Sequence, residues 1–233
     1  MTFKELTYSV WEILSGYNIT DDNELTLTII EENMLSMNQT LLREAYNNKR
    51  ITQSMYVMDN FVEVEKMDHR IYAEGVTIKA DGRFCVARMH ELVAGVGNMD
   101  LNYFGSTDLS NNYSRKSFRN LANGSGGTLW TLHKPSYGIV QNVAYIEAQK
   151  LLGAKYVTAI GLWNDPREAS EYDDNADFPT PSEYRLQLLT IQHLFTGKNV
   201  PPDLISDAQR QVALPARNPQ RSRAKKSEVE ETE

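Results

Sequence analysis

The chain has 233 residues and a mass of 26.5 kDa, room for one domain or two small ones. Its 31 acidic and 24 basic residues give a net charge of −7, which argues against a protein that grips nucleic acid through a basic face. One cysteine, Cys85, excludes an internal disulfide framework and a cysteine-built zinc site, and no apolar run is long enough to span a bilayer.

Taken in chain order, the elements begin with a helix over 3–14, where Phe3, Leu6, Val10, Ile13 and Leu14 recur at spacings of three and four before Gly16. The charged start of the chain is unlike a secretory signal. Asp21 with Glu24 forms a candidate capping box for a second, long helix over about 22–47. It carries one apolar stripe (Leu27, Ile30, Met34, Met37, Leu41, Ala45) and a second beside it (Leu35, Leu42, Tyr46). Two stripes leave open contacts on two sides, or burial within one domain. Phe61, Val62, Val64 and Met67 read as a strand, and residues 75–89 as two strands joined at Asp81-Gly82. Residues 95–127 are rich in Gly, Asn and Ser and read as a long functional or partner-ordered loop, followed by a strand over 128–132.

Beyond Pro135 the apolar spacing of Val140, Val143, Ala144, Ala148, Leu151 and Leu152 predicts a helix capped by Gly153. A buried strand follows over 156–160. Thr180-Pro181-Ser182-Glu183 then predicts a capped helix with Tyr184, Leu188, Ile191 and Phe195 on one face, and a short helix over 202–212. The order predicts an α+β fold. Residues 1–49 and 136–213 form a helical base, with a long N-terminal helix pair and C-terminal helices. A β-rich lobe is inserted at 50–135, and 214–233 forms an extended charged tail. Charge follows this division: residues 1–48 carry −6, residues 49–164 carry +3 and residues 165–233 carry −4.

Little of the composition points to catalysis. Gly124-Ser125-Gly126-Gly127 lacks the Lys-Ser/Thr ending of a phosphate loop, and Gly95-Val96-Gly97 lacks the third glycine of a dinucleotide fingerprint. His69, His90, His133 and His193 are dispersed, with no metal-ligand spacing between any two. The acidic stretch 165–177, including Asp173, Asp174 and Asp177, has no central glycine for a calcium loop and reads as a solvated or partner-facing loop. Arg115, Lys116 and Arg119 around Phe118 form the best nucleic-acid candidate, and they suit an acidic protein surface equally well. The cations Arg217, Arg221, Arg223, Lys225 and Lys226, followed by an acidic end, read as a charge-split tail that docks on a partner. No cofactor is expected.

The order of the helix pair, the β-rich insert, the capped late helix and the tail resembles the adaptor-ring proteins that join head to tail in tailed phages. The Asn- and Tyr-rich composition and Ser182-Glu183-Tyr184-Arg185-Leu186-Gln187-Leu188-Leu189 are most similar to ring proteins of crAss-like gut phages. The resemblance implies a virion protein made in the host cytoplasm, with no catalytic step. It would form a homo-oligomeric ring, twelve-fold in such families, that contacts the portal and other ring or tail proteins while genomic DNA passes through its channel. Ring subunits meet through two different patches used repeatedly, a role open to the two helix stripes, to Arg115, Lys116 and Arg119, and to the 165–177 acids. Two alternatives are a phage nucleic-acid-associated protein using Arg115, Lys116 and Arg119, and a small enzyme around the Gly-rich loop with His90 or His133 as base.

Overall fold

Alternation of small and branched apolar residues dominates the middle of the chain, and a large sheet is built there. The computed structural model describes residues 1–16, 26–96, 99–123, 134–151 and 153–194. The chain divides into two units. One comprises Met1–Phe3 and Asn38–Pro181, the other Lys4–Met37 and Ser182–Glu233.

Among the described residues the first unit holds nine strands: β1 (Val57–Lys66), β2 (Ile71–Ala73), β3 (Val76–Ile78), β4 (Phe84–Arg88), β5 (Leu101–Gly105), β6 (Ser114–Arg115), β7 (Ser136–Val140), β8 (Val143–Glu147) and β9 (Tyr156–Gly161). Seven of them form one curled sheet in the order β5-β9-β1-β4-β8-β7-β6, and β2 and β3 form a separate hairpin. The two ends of the large sheet meet. The segment entering β6 turns back on β5, with Gly105 bridged to Asn112, the Tyr113 amide donating to the Phe104 carbonyl at 2.8 Å and Ser106 to Asn111 at 3.0 Å. A ring of seven strands cannot close with antiparallel pairs alone, because direction alternates and an odd count leaves two like-directed neighbours. The parallel pair β6–β7 absorbs that mismatch; every other pair is antiparallel. A parallel connection needs a crossover, and this one contains the short helix α3 (Phe118–Ala122).

Side chains of moderate size fill the interior. Ala87, Ala144 and Ala159 are fully buried beside Ile146, Val157, Phe104 and Tyr137, and the Phe104 and Tyr137 rings lie 4.5 Å apart. On β1 the inward set changes parity. Val57 packs inward before a bulge between Asp59 and Val62, and Val62 and Val64 pack inward after it. One extra residue returns the strand to register without turning its apolar side chains to solvent. Outside the sheet, the β2–β3 hairpin and α3 cover Phe84, Val86 and Tyr145 through Ile78, Phe118 and Leu121.

The described residues of the second unit are helical: α1 (Phe3–Ser15) from Lys4 onward, α2 (Leu27–Asn47) as far as Met37, and α4 (Glu183–Leu194). Leu6, Val10, Leu14, Ile30, Met34 and Leu186 are buried, Thr7 Oγ1 lies 3.6 Å from Met34 Sδ, and Gln187 donates to Ser9 at 3.1 Å.

This corrects the expected α+β fold on a helical base. The fold is mixed α/β, the larger unit is built on the curled sheet, and the described residues hold four α-helices. The decisive difference lies at 136–147, where the expected helix is the β7–β8 hairpin. Gln141 and Asn142 both take positive φ (49° and 62°), the backbone of a two-residue hairpin turn, and the flanking β-branched residues pair across it. Gly153 is left-handed as expected, φ 78°, but follows a single 3₁₀ turn at 148–150. The expected long loop at 95–127 contains β5, β6 and α3. Asp81-Gly82 does not close a hairpin: β3 pairs with β2 across Glu74 and Gly75 (φ 49° and 76°), and β4 pairs with β1 and β8. The cap of α4 is Ser182, which accepts from the Arg185 amide at 3.3 Å, and its buried side runs through Leu186, Gln187, Thr190 and Ile191. The Asp21/Glu24 box, the 128–132 strand and the 202–212 helix lie outside the described residues.

Closure leaves Gly105 no room for a side chain. A Cβ there would meet the Asn111 carbonyl oxygen at 2.0 Å and the Tyr103 hydroxyl at 2.7 Å. Gly105→Ala is expected to lower stability by about 3 kcal/mol, the upper range for forcing an atom into a packed site, measured by urea unfolding.

Candidate functional site

Where the ends of the sheet meet, β5, β6, β7 and the start of α3 line an open cleft of about 530 Å³. Its lining includes Arg115 and Lys116 together with Tyr103, Tyr113, Tyr137 and Glu74. Arg115 grips Asp100 with both arms of its guanidinium: Nη1 on Oδ1, and Nη2 on Oδ2 at 3.0 Å. Burial disfavours its charge, but the bond to Asp100 outweighs this and the Arg115 pKa is raised. Burial pushes the Tyr137 phenol up to about 12 against the pull of Arg115, and also raises Tyr113. The closing hairpin is fastened by Asp108, whose carboxylate accepts from the Ser106 hydroxyl and from the hydroxyl and amide of Ser110. Those bonds hold it at about 2. Lys116 has no ion-pair partner among the described residues. Arg119 is exposed, and its amide donates to Glu74 at 3.3 Å. Phe118, between the cations, is buried at 1% exposure against the Tyr145 ring and offers no face on which a base could stack.

A second feature lies on the outer surface of β1 and β9. Asn60 and Phe61 together oppose Thr158 in the bulge, and Phe61 holds φ +62° with its side chain 64% exposed. A bulge residue of this conformation is ordinarily glycine, and a bulky side chain pays of order 1 kcal/mol to adopt it. The surroundings enforce it. Thr158 Oγ1 donates to Asn60 Oδ1 at 2.8 Å, the Asn60 amide to Ser170 Oγ at 2.7 Å, and Asn60 Nδ2 to Glu171 at 2.9 Å. The ring stands edge-on to Tyr156 at 6.0 Å, and Tyr156 is itself 44% exposed. Glu63 is the register partner of Tyr156.

The helix stripes are part buried and part half-buried. Ile30, Met34, Leu41 and Leu42 are buried, and Leu27, Leu35, Met37 and Tyr46 half-buried. Leu42 and Tyr46 pack with Met55, Val93, Val96 and Leu162. Asp173, Asp174 and Asp177 are exposed. Asp173 fastens the turn at Asn175, and Asp177 accepts from the Met1 backbone nitrogen at 2.7 Å. Asp173 and Asp177 line a 330 Å³ cleft with Glu171, Tyr56 and Tyr172. Burial, then the charge of Asp174, pushes Tyr172 up to about 12. His90 stands between Asp59 (3.5 Å) and Glu168 (3.3 Å), His69 contacts Asp68, and His193 is exposed on α4. Burial raises the Cys85 thiol. Among the described residues no group of three or more His, Cys, Asp and Glu is disposed to hold a metal ion. His133, Gly124-Ser125-Gly126-Gly127 and the cations Arg217, Arg221, Arg223, Lys225 and Lys226 lie outside the described residues. Nothing in the sequence pointed to Phe61, since a phenylalanine in a strand is ordinary until its backbone angle is known. No protein-family model and no curated protein matches the chain.

Arg115→Ala leaves Asp100 nearly buried and unpaired, and is expected to cost about 2 kcal/mol, whereas Lys116→Ala stays within about 0.5 kcal/mol in thermal unfolding. Tyr137 and Tyr172 are expected to ionise last in a tyrosinate absorbance titration, near the values of about 12. Above the ordinary value of 10.0 the unfolded chain has released these protons and the native chain has not, so stability falls as pH rises from there towards about 12.

Proposed function

We propose that this chain is a structural subunit that assembles with copies of itself, as the ring-forming head-to-tail adaptor of a tailed phage, and carries out no catalytic step. The observation that carries the reading is Phe61. An aromatic ring is held out in solvent on a left-handed backbone, beside a second exposed aromatic, at a position where glycine would relieve the strain. A fold keeps such a residue where something outside the subunit covers it, and aromatic rings are the residues that anchor protein interfaces. The division of charge along the chain adds complementary flanks for adjoining copies. In this reading the portal and neighbouring ring or tail proteins are the other partners, the ring is twelve-fold, and the genome passes through its channel.

The use of Arg115, Lys116 and Arg119 on nucleic acid is the weaker reading, because Arg115 is neutralised by Asp100 and Phe118 is buried.

Electron microscopy of the purified protein, alone and with a candidate portal, tests the proposal. Closed rings are expected, and monomers at every concentration that ignore the portal refute it. Phe61→Gly separates the two roles of the residue. It relieves the backbone, with an expected gain of about 1 kcal/mol or a melting point higher by roughly 2–4 °C, while assembly is lost.

A further inference from the structure

The bulge that turns Phe61 outward also sets carboxylates around it. Glu63 lies opposite Tyr156 in register, and Glu171 is tied to Asn60, the residue before Phe61, by a side-chain bond of 2.9 Å and to Met58 by its amide. Neither carboxylate meets a cation among the described residues. Beyond Glu171 the surface continues into the 330 Å³ cleft that holds Asp173 and Asp177, where the Tyr172 hydroxyl is buried without a described partner. Two exposed aromatic rings rimmed by carboxylates repel nucleic acid and suit a guanidinium, whose flat face stacks on a ring while its edge forks onto a carboxylate.

The chain carries a segment of that chemistry. Residues 217–226 hold Arg217, Arg221, Arg223, Lys225 and Lys226 with no acidic residue, and Arg221, Arg223 and Lys225 alternate along the sequence. α4 ends at Leu194, and the 22 residues from 195 to 216 can span up to about 75 Å, enough to reach a neighbouring subunit. We infer that the surface formed by Phe61, Tyr156, Glu63 and Glu171 receives the basic run 217–226 of a second copy of this chain. The inference rests on the assembly reading for the second copy, and it names the two unlike patches that a head-to-tail ring requires: the aromatic–acidic face of one subunit and the basic run of the next.

A fluorescein-labelled synthetic peptide of residues 215–227, titrated into the full-length protein at low salt, tests the surface by anisotropy. Phe61→Gly, and separately Glu63→Gln with Glu171→Gln, are expected to weaken binding about tenfold, and added salt to weaken it further. In parallel, sedimentation of full-length protein with all five run cations changed to alanine is expected to show the same loss of assembly as Phe61→Gly. Equal peptide binding by wild type and Phe61→Gly overturns the inference. So do rings that form normally without the five cations, which leave the assembly reading standing. Tail cations that hold duplex DNA with no Phe61-dependent peptide binding assign the run to nucleic acid and overturn it as well. A wild type that stays monomeric with and without portal overturns the assembly reading and, with it, the second copy. Phe61-dependent peptide binding would then show a docking face for a basic segment from another source.

Discussion

Everything in the larger unit depends on closing an odd ring of strands. Six antiparallel steps around seven strands leave one junction where two strands run the same way, and the chain resolves it at β6–β7, where Ser114 and Arg115 run parallel to Ser136 and Tyr137. The closing hairpin that leads there must approach β5 so tightly that Gly105 sits under the Asn111 carbonyl, and Asp108 fastens its tip through Ser106 and Ser110. Ala87, Ala144 and Ala159 are fully buried in the interior, and the Phe104, Tyr113 and Tyr137 rings pack together at the end where β5 meets the segment entering β6. The Arg115–Asp100 pair lies at the same end. Its worth there is mainly positional, because an ion pair at modest burial tethers β6 to the start of β5 more than it adds net stability.

The bulge on β1 solves a different problem with one extra residue. It keeps Val57, Val62 and Val64 on the same side of the sheet, and the unpaired residues it creates are Asn60, which ties β1 to β9 and to Ser170 and Glu171, and Phe61, which is left pointing at solvent. The register of the core and the exposed ring are therefore two results of one insertion. The strain at Phe61 is carried by neighbours whose hydrogen bonds leave the backbone no alternative.

Legibility in the sequence divided along physical lines. Elements set by local pattern were readable: α1, most of α2, β1, β9 and α4 fall where spacing placed them, although Ser182 rather than Thr180 caps α4. The 140–152 stretch was not, because Val140, Val143 and Ala144 satisfy helical spacing as well as they satisfy strands flanking a two-residue turn, and Gln141-Asn142 lacks the glycine that usually marks such a turn. Glu74-Gly75 concealed a hairpin because its strands are only three residues each, while Asp81-Gly82 advertised one whose flanking strands have other partners. The Gly- and Asn-rich stretch hid β5 because Leu101, Tyr103 and Phe104 are few among small residues, and their partners on β9 lie more than fifty residues away. Of the candidate site, the basic cluster at 115–119 was visible, but the neutralisation of Arg115 by Asp100 and the burial of Phe118 are tertiary facts. The exposure of Phe61 is a backbone angle, and no residue type announces it.

A sheet whose ends meet offers less open edge. Where the segment entering β6 meets β5, the Phe104 and Asn111 carbonyls accept from the Tyr113 and Ser106 amides, groups that an open end would leave free. At that seam a neighbouring chain is denied the least selective way of attaching to a sheet, adding a strand through backbone bonds that any sequence can supply. What the seam can recognise it recognises with side chains, so the identity of its partners is written in a few replaceable residues and can change by point mutation while the scaffold beneath stays the same.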